Sequence, residues 1–226
     1  MNTQTPRRPR GFWDFVACAG IVFLSSCSGA GPPGSLVSPA SEQSAASRQG
    51  SERKQSDGFP NILLQTQDGK QVRFYDDLVK NKAVLVNFIY TSCQQSCSPT
   101  TANLAKVHKL LGDRVGQDLI FLSISLDPAV DRPTILKEYA ARFGQFNGWY
   151  FLTGKESEIE QLRRAMGLYD LDPDRDADKT QHAGIVIAGN DKTNRWASLP
   201  ALMDHRQIAQ TVLRITRNRE TLDVKG

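Results

Sequence analysis

The chain has 226 residues, of which 39% are hydrophobic and 23% charged, and its formal net charge at pH 7 is +4. This composition is typical of a soluble domain with one sizeable core, and the length predicts one domain with appended segments. The sequence has no basic stripe with interleaved aromatic residues, so nucleic acid is not an expected partner.

The N-terminus has the pattern of an export signal. Arginines among residues 7–10 precede an apolar run at 15–24. This run is too short to span a bilayer as a helix but suits the apolar region of a signal peptide. It leads into Leu24-Ser25-Ser26-Cys27, which resembles a bacterial lipobox. We expect removal of residues 1–26 and a lipid on Cys27 that anchors the protein to a bacterial membrane, facing the periplasm or the cell exterior. An ordinary signal peptide and an uncleaved anchor are the alternatives.

The segment after the signal has the composition of a tether. Residues 27–57 are rich in serine, glycine, alanine and proline and show no apolar periodicity, which predicts a flexible chain, with a pro-segment as the alternative. The folded domain is expected at 58–217 and a C-terminal tail at 218–226.

The first half of the domain has the pattern of a hairpin followed by a parallel crossover. The hairpin is predicted from the Asp68-Gly69 turn between extended runs at 61–67 and 70–75. Two near-continuous apolar runs suit strands covered on both faces, and they flank a segment with helical spacing. These three segments are, in chain order, 83–90, 98–112 and 119–126. A strand, a helix and a strand in this order predict a right-handed parallel crossover.

The second half alternates helices and strands around a polar loop at 168–181. Helices are predicted at 133–143, 156–166 and 205–216, and strands at 149–152, 183–188 and 195–199. Asp131 and Asp204 are expected to cap the helices that follow them. The whole order predicts an α/β fold: a thioredoxin-like sheet with helices on both faces, an N-terminal β-hairpin and an insertion before the strand that follows His182.

Two of the four cysteines lie between a buried strand and a helix. Signal removal would eliminate Cys18 and lipidation would use Cys27, which leaves Cys93 and Cys97 as the thiols of an exported protein. A helix N-terminus stabilises thiolate, and helical positions four residues apart lie on one face. The pair alone is compatible with a redox couple, a metal site or a structural disulfide, although so short a loop would gain little stability from the bond.

A metal would need a third ligand, and His182 is the best placed of the three histidines. His108 is predicted to face solvent on its helix, and His205 to have a capping or surface role. His182 lies between the polar loop and a strand, at the sheet end expected to carry the cysteines, with a surface role as the alternative. Two thiolates and one imidazole suit Cu(I), Cu(II) or zinc. The lack of a fourth Cys or His near the site argues against a closed structural zinc site.

With these residues in view, residues 59–217 resemble the Sco/SenC family of membrane-tethered, thioredoxin-like copper chaperones linked to cytochrome c oxidase assembly. The resemblance depends on four stretches and their order: NILLQTQDGKQV, NFIYTSCQQSCSP, SLDPAVDRPTILKEYAARFG, and WYFLTG followed by QHAGIVIAG. The chain departs from the family inside the cysteine loop. Family members commonly have proline after each cysteine, whereas here Gln94 follows the first and Ser98 the second, and the loop carries polar Gln95 and Ser96.

The resemblance implies that Cys93, Cys97 and His182 bind copper, as Cu(I) or Cu(II), for delivery to a cuproprotein such as an oxidase subunit. Asp127, after the second core strand, is a candidate for a supporting carboxylate beside the ligands, with a structural turn role as the alternative. On this interpretation the protein is a metallochaperone more than an enzyme.

Three other functions remain open. A thiol–disulfide oxidoreductase that keeps the cysteines of a copper site reduced would use Cys93 and Cys97 but not His182. A peroxidase is disfavoured because no arginine lies in the cysteine loop. A purely structural or interaction module would need the two cysteines for stability alone.

Overall fold

The computed structural model describes residues 53–93, 97–178 and 184–216. The described strands are β1 (Leu63–Thr66), β2 (Gln71–Arg73), β3 (Ala83–Ile89), β4 (Leu119–Ser125), β5 (Trp149–Gly154), β6 (Ile185–Asn190) and β7 (Arg195–Pro200). The described helices are α1 (Cys97–Leu111), α2 (Pro133–Ala141), α3 (Glu156–Ala165), α4 (Pro173–Ala177) and α5 (His205–Thr216). These seven described strands form one mixed sheet in the spatial order β2-β1-β5-β4-β3-β6-β7.

The centre of the sheet is the parallel pair β3 and β4, joined through α1. The pair runs in register from Ala83 opposite Leu119 to Ile89 opposite Ser125, and every residue of both strands is buried. Such burial on both faces explains the near-continuous apolar sequence of the two strands. The predicted strands and the helix between them are confirmed, with ends that differ by about one residue, which is the usual uncertainty of helix and strand ends.

Alternate residues of the central strands face two separate apolar clusters. Leu85 and Phe121 pack on one face with residues of α1, α2 and α5. Val86 and Leu122 pack on the other face with residues of α3 and of the N-terminal hairpin. This alternation follows from the two-residue period of a strand. The predicted α/β sheet with helices on both faces is therefore confirmed.

The N-terminal hairpin is also confirmed, but its second strand ends earlier than predicted. β2 stops at Arg73, and the chain continues into a π-helical turn at Phe74–Val79. Polar side chains hold this turn: the Asp77 carboxylate accepts from the Arg73 N–H at 2.6 Å, and Asn61 accepts from the Tyr75 N–H at 3.0 Å. Phe74 is fully buried in the second cluster, so its apolar character reflects core packing and not strand pairing.

Two further segments differ from the sequence-based expectations. The polar loop predicted at 168–181 contains the short helix α4, whose N-cap Asp172 accepts from the Asp174 N–H at 3.0 Å. The strand predicted at 183–188 is displaced toward the C-terminus, since β6 begins at Ile185 after a turn at Gly184. Residue 183 lies outside the described residues.

One predicted helix cap is confirmed, and two other side chains have surroundings that differ from those expected. Asp204 caps α5 as predicted, accepting from the Arg206 N–H at 2.9 Å. The predicted capping role of Asp131 is wrong, because Arg132 is the N-cap residue of α2 and the Asp131 carboxylate accepts a hydrogen bond from the Thr91 hydroxyl. His108 does not simply face solvent: its ring stacks on Trp149 and its Nε2 is 2.8 Å from the Asn147 carbonyl oxygen.

Among the helices of the described residues, none combines the length and the apolar character that crossing a membrane would require.

The close approach of β6 and β7 gives a test of the packing. A Cβ added at Gly189 would lie 2.1 Å from two carbons of the Trp196 ring, whereas a Cβ added at Gly58 would meet no atom within 4 Å. Because overpacking forces a rigid neighbour to move, we expect Gly189→Ala to lower the free energy of unfolding by about 2–3 kcal/mol. Denaturant unfolding with Gly58→Ala as the control measures this difference, and equal stabilities would contradict the packing.

Candidate metal centre

The two cysteines lie at the carboxyl end of β3, where the chain turns into α1. The turn is closed by the Cys93 N–H, which donates to the Tyr90 carbonyl at 3.2 Å. Cys97 is the first residue of α1, and its N–H donates to the Cys93 Sγ at 3.3 Å. Both cysteines are buried, with 6% and 0% of their surface exposed. The structure therefore brings the two cysteines together, with the Cys93 sulfur at a helix N-terminus, where negative charge on sulfur is stabilised.

Two tyrosines border the cysteine pair. Burial, together with a hydrogen bond to Cys93, raises the pKa of Tyr90 well above its usual value. Burial raises the pKa of Tyr139 to about 12, against the opposing effect of its hydrogen bond with Thr101, whose Oγ1 is 2.9 Å from the phenol oxygen. Both phenols are therefore neutral at physiological pH, and a neutral phenol can donate a hydrogen bond to a sulfur.

The loop after β4 lies at the same edge of the sheet as the cysteines. The register places Ser125 opposite Ile89, and the Leu126 N–H donates to the Ile89 carbonyl at 2.7 Å. Asp127 follows directly, is half-buried, and has its N–H bound to the Ser125 Oγ at 2.9 Å. The structure thus brings the Asp127 backbone to the predicted edge, while a role for its carboxylate stays a prediction.

The same loop carries a fully buried carboxylate that sequence analysis assigned to a helix cap. Asp131 accepts hydrogen bonds from the Thr91 N–H at 3.0 Å and from the Ser125 Oγ at 2.6 Å, and also from the Thr91 hydroxyl. Thr91 lies two residues before Cys93, so Asp131 ties the cysteine turn to the end of β4. Small hydroxyl residues at the ends of two neighbouring strands, with an aspartate nearby in sequence, were the signal that could have revealed this contact.

His182 lies outside the described residues, as do Gln94, Gln95 and Ser96 of the cysteine loop and the predicted lipidation site Cys27. The described chain nevertheless shows where β6 begins. β6 is antiparallel to β3, with Val186 opposite Asn87, so its first residues lie at the end of the sheet where β3 leads into the cysteine turn. Within residues 53–93, 97–178 and 184–216, no group of three or more His, Cys, Asp or Glu side chains is arranged to hold a metal ion.

The segment that precedes the undescribed residues 179–183 is held by a buried ion pair. Of residues 169–178, only Asp176 is buried. Its carboxylate accepts from both terminal nitrogens of Arg163, at 2.8 and 2.9 Å, and also from Arg164 and from the Asp170 N–H. Glu160 completes the network with a 2.6 Å hydrogen bond from Arg163. Sequence analysis missed this network, although arginines three and four residues after Glu160 on one helix were a visible signal.

Comparison with known proteins gives a consistent result. A protein-family model described as SCO1/SenC matches residues 52–217. A protein of Bacillus subtilis (strain 168) described as a SCO1 protein homolog is 39% identical over 103 residues, which make up 45% of this chain and 52% of that protein. The chain therefore spans about half the length of this relative.

Two solved structures share the fold. BsSco, described as a member of the Sco family of cytochrome c oxidase assembly proteins with a disulfide switch, superposes with a TM-score of 0.55 and 28% identity, over 69% of this chain and 91% of that one. Bradyrhizobium japonicum ScoI with copper bound gives a TM-score of 0.56 and 23% identity, over 70% of this chain and 98% of that one. The predicted thioredoxin-like fold class is thereby confirmed.

The ion pair at Asp176 predicts a pH-dependent stability. Hydrogen bonds from Arg163 hold the pKa of Asp176 well below its usual value, despite burial. A carboxyl with a lowered folded-state pKa stabilises the fold above its unfolded pKa of about 3.9, and this contribution is lost as the pH falls through the folded-state pKa. We therefore expect Asp176→Asn to destabilise the protein at pH 7, with a difference from the wild type that shrinks below about pH 4.

Urea unfolding at pH 7 and at pH 3 measures this change. Asp174→Asn is the matched control, because Asp174 lies on the same short helix with an exposed side chain, and its effect should stay within about 0.5 kcal/mol. A loss at Asp176 that is independent of pH, or equal to that at Asp174, would contradict the ion-pair role.

Proposed function

The chain belongs to the SCO1/SenC family, and from this premise we propose that it binds copper at a membrane and delivers it to an exported cuproprotein such as cytochrome c oxidase. The observation that carries the proposal is the hydrogen bond from the Cys97 N–H to the Cys93 Sγ. It places the Cys93 sulfur at the N-terminus of α1, which begins with the second buried cysteine, on the sheet edge where ligands bind in open α/β folds.

The proposed ligands are Cys93, Cys97 and His182, with copper as the cargo. Thiolates are soft ligands that hold Cu(I), and imidazole suits either oxidation state of copper. The copper-bound structure of Bradyrhizobium japonicum ScoI supports this choice of metal. His182 is proposed as the third ligand from the family resemblance, and the start of β6 beside the end of β3 supports it.

The surrounding residues have separate tasks in this proposal. The N-terminus of α1 stabilises the negative charge of the thiolates, so that fewer protons compete with copper. The neutral phenol of Tyr90 hydrogen-bonds to Cys93 and so helps to orient that sulfur. Asp127 is proposed to supply a negative charge or a hydrogen bond near the ligands.

The proposal places the domain outside the cytoplasm on a lipid anchor at Cys27. Residues 1–26 would be removed, and the 27–57 segment would act as the tether that lets the domain 58–217 reach its partner. The partner would be a cuproprotein or oxidase subunit on the same side of the membrane. The Leu24-Ser25-Ser26-Cys27 sequence supports the anchor.

Copper titration of the reduced protein tests the ligand set. With Cu(II), we expect thiolate-to-copper charge-transfer bands in the visible spectrum that Cys93→Ser or Cys97→Ser abolishes, because each removes one of the two sulfurs. His182→Ala should alter the spectrum and weaken binding by about tenfold or more, which corresponds to at least about 1.4 kcal/mol.

His205→Ala is the matched control, because His205 lies at the start of α5 beside its cap Asp204 and should leave both the spectrum and the affinity unchanged. Absence of copper binding, or binding that ignores His182→Ala, would overturn the proposed site.

A second candidate function is thiol–disulfide exchange, in which the protein keeps the cysteines of a partner's copper site reduced. The contact between the Cys97 backbone N–H and the Cys93 Sγ favours it, because it brings the two cysteine residues next to each other and holds one sulfur at a helix N-terminus, where thiolate is stabilised. Two electrons and two protons would pass from the Cys93/Cys97 pair to the partner's disulfide. The disulfide switch described for BsSco gives independent support.

The requirement for His182 separates the two functions. If exchange is the function, reduction of a test disulfide should be lost in Cys93→Ser and unchanged in His182→Ala, because the imidazole takes no part in electron transfer. Stopped-flow measurement of the exchange rate provides the comparison. A rate no faster than that of free glutathione at equal thiol concentration would argue against exchange.

A further inference from the structure

We infer that Asp131 is a positioning residue that fixes the Cys93 sulfur relative to the Cys97 sulfur and thereby slows the loss of bound copper. The inference rests on the proposed copper-binding function and adds to it a residue that acts through the backbone of the Cys93 turn. Asp131 lies in the loop between β4 and α2, and none of its surface is exposed.

The contacts of Asp131 reach two different loops. Its Oδ2 accepts from the Thr91 N–H and the Ser125 hydroxyl, and its Oδ1 accepts from the Thr91 hydroxyl. Its own N–H donates to the Asp127 carbonyl at 2.8 Å. One carboxylate thus connects the turn that carries Cys93 with the loop that carries Asp127. Hydrogen bonds to an ionised acceptor are about twice as strong as those between neutral groups.

Thr91 transmits this restraint to the sulfur. It lies inside the turn that the Cys93 N–H closes onto the Tyr90 carbonyl, so its backbone and the Cys93 backbone move together. Asp131 holds Thr91 both at the backbone and at the side chain. A residue restrained at two points cannot rotate in place, so the orientation of the turn is defined.

Asp131 does not cap α2, the helix that follows it in the chain. Its position just before α2 would suit a cap, but Arg132 is the N-cap and no side-chain capping bond is made. A buried carboxylate is costly unless hydrogen bonds compensate it. Here the compensation comes from the cysteine turn and from Ser125, so the carboxylate stabilises the site edge and not the start of α2.

The backbones of the two cysteines are therefore held by different segments, although the Cys97 N–H also binds the Cys93 sulfur. Cys97 belongs to α1, whose residues Leu104 and Val107 are buried in the core. Cys93 precedes the helix and depends on the turn that Asp131 holds. Loss of Asp131 should release Cys93 while Cys97 stays in place. A chelate whose donors are already positioned loses less entropy on binding, and so releases its metal more slowly.

A second buried carboxylate provides the matched control. Asp191 is likewise 0% exposed and accepts from the Asn81 N–H at 2.7 Å and from the Ser56 hydroxyl. It follows the end of β6, opposite the start of β3, and so lies at the end of the sheet away from the cysteines. Its removal should cost stability without reaching the sulfurs.

The test compares Asp131→Ala with Asp191→Ala in the full-length reduced protein. One measurement is the rate at which bound Cu(I) passes to excess bathocuproine disulfonate. The other, without copper, is the rate at which iodoacetamide alkylates Cys93 and Cys97, read separately by peptide mass spectrometry. In Asp131→Ala we expect copper loss and Cys93 alkylation to rise about tenfold, since small displacements of positioned groups have large kinetic effects.

In Asp131→Ala, the rate of Cys97 alkylation should change less than about twofold, because local opening is confined to the turn. In Asp191→Ala, the rate of copper loss and the alkylation rates of both cysteines should each change less than about twofold. Two milder variants cover a failure of Asp131→Ala to fold. Asp131→Asn keeps the size and some acceptor capacity, and should restore much of the wild-type behaviour. Thr91→Val removes only the hydroxyl contact and should give intermediate rates.

Equal rates in the Asp131 and Asp191 variants, or parallel rises at both cysteines, would overturn the positioning role. If the wild type binds no copper, the proposed function fails, while the alkylation rates still decide whether Asp131 holds the Cys93 turn.

Discussion

The parallel register of β3 and β4 is the constraint on which the rest of the structure depends. Because Ile89 lies opposite Ser125, the two loops that leave these strands begin side by side at one edge. That proximity lets a carboxylate in one loop bind the backbone of the other, although Asp131 and Thr91 are 40 residues apart. A shift of one residue would turn every core side chain of one strand to the opposite face, so packing on both faces preserves the edge.

The cysteine pair combines two properties that usually conflict. Burial disfavours a charged sulfur, while metal binding and disulfide exchange both require one. The N-terminus of α1 resolves the conflict, since the Cys97 N–H points at the Cys93 Sγ and supplies the electrostatic stabilisation that water would otherwise provide. The neighbouring phenols, held neutral by burial, add no competing negative charge.

Sequence reasoning predicted the parts of the fold that local patterns determine. The apolar runs of β3 and β4 and the helical spacing of α1 identified the sheet centre, and with it the place of Cys93 and Cys97. Prediction failed where a long-range partner decides the role of a polar residue. The capping role expected for Asp131 was local, whereas the carboxylate binds a turn in another loop. Likewise Asp176, the one buried residue among 169–178, depends on Arg163 of a different helix. The predicted fold order placed His182 at the sheet end expected to carry the cysteines, and the family resemblance then implied its role as a ligand.

The network around Asp191 has a practical consequence for how the protein can be handled. Lys54 and Ser56 bind Asp191, and the Asn190 side chain donates to the Ile215 carbonyl at 3.3 Å. The first and last described residues of the domain therefore lie near the end of the sheet where β3 begins, which is the end away from Cys93. A fluorescent protein or an affinity tag fused directly to residue 53 or to residue 216 would begin at the end of the sheet away from the cysteines. The domain can thus be imaged or immobilised from both ends in the same orientation.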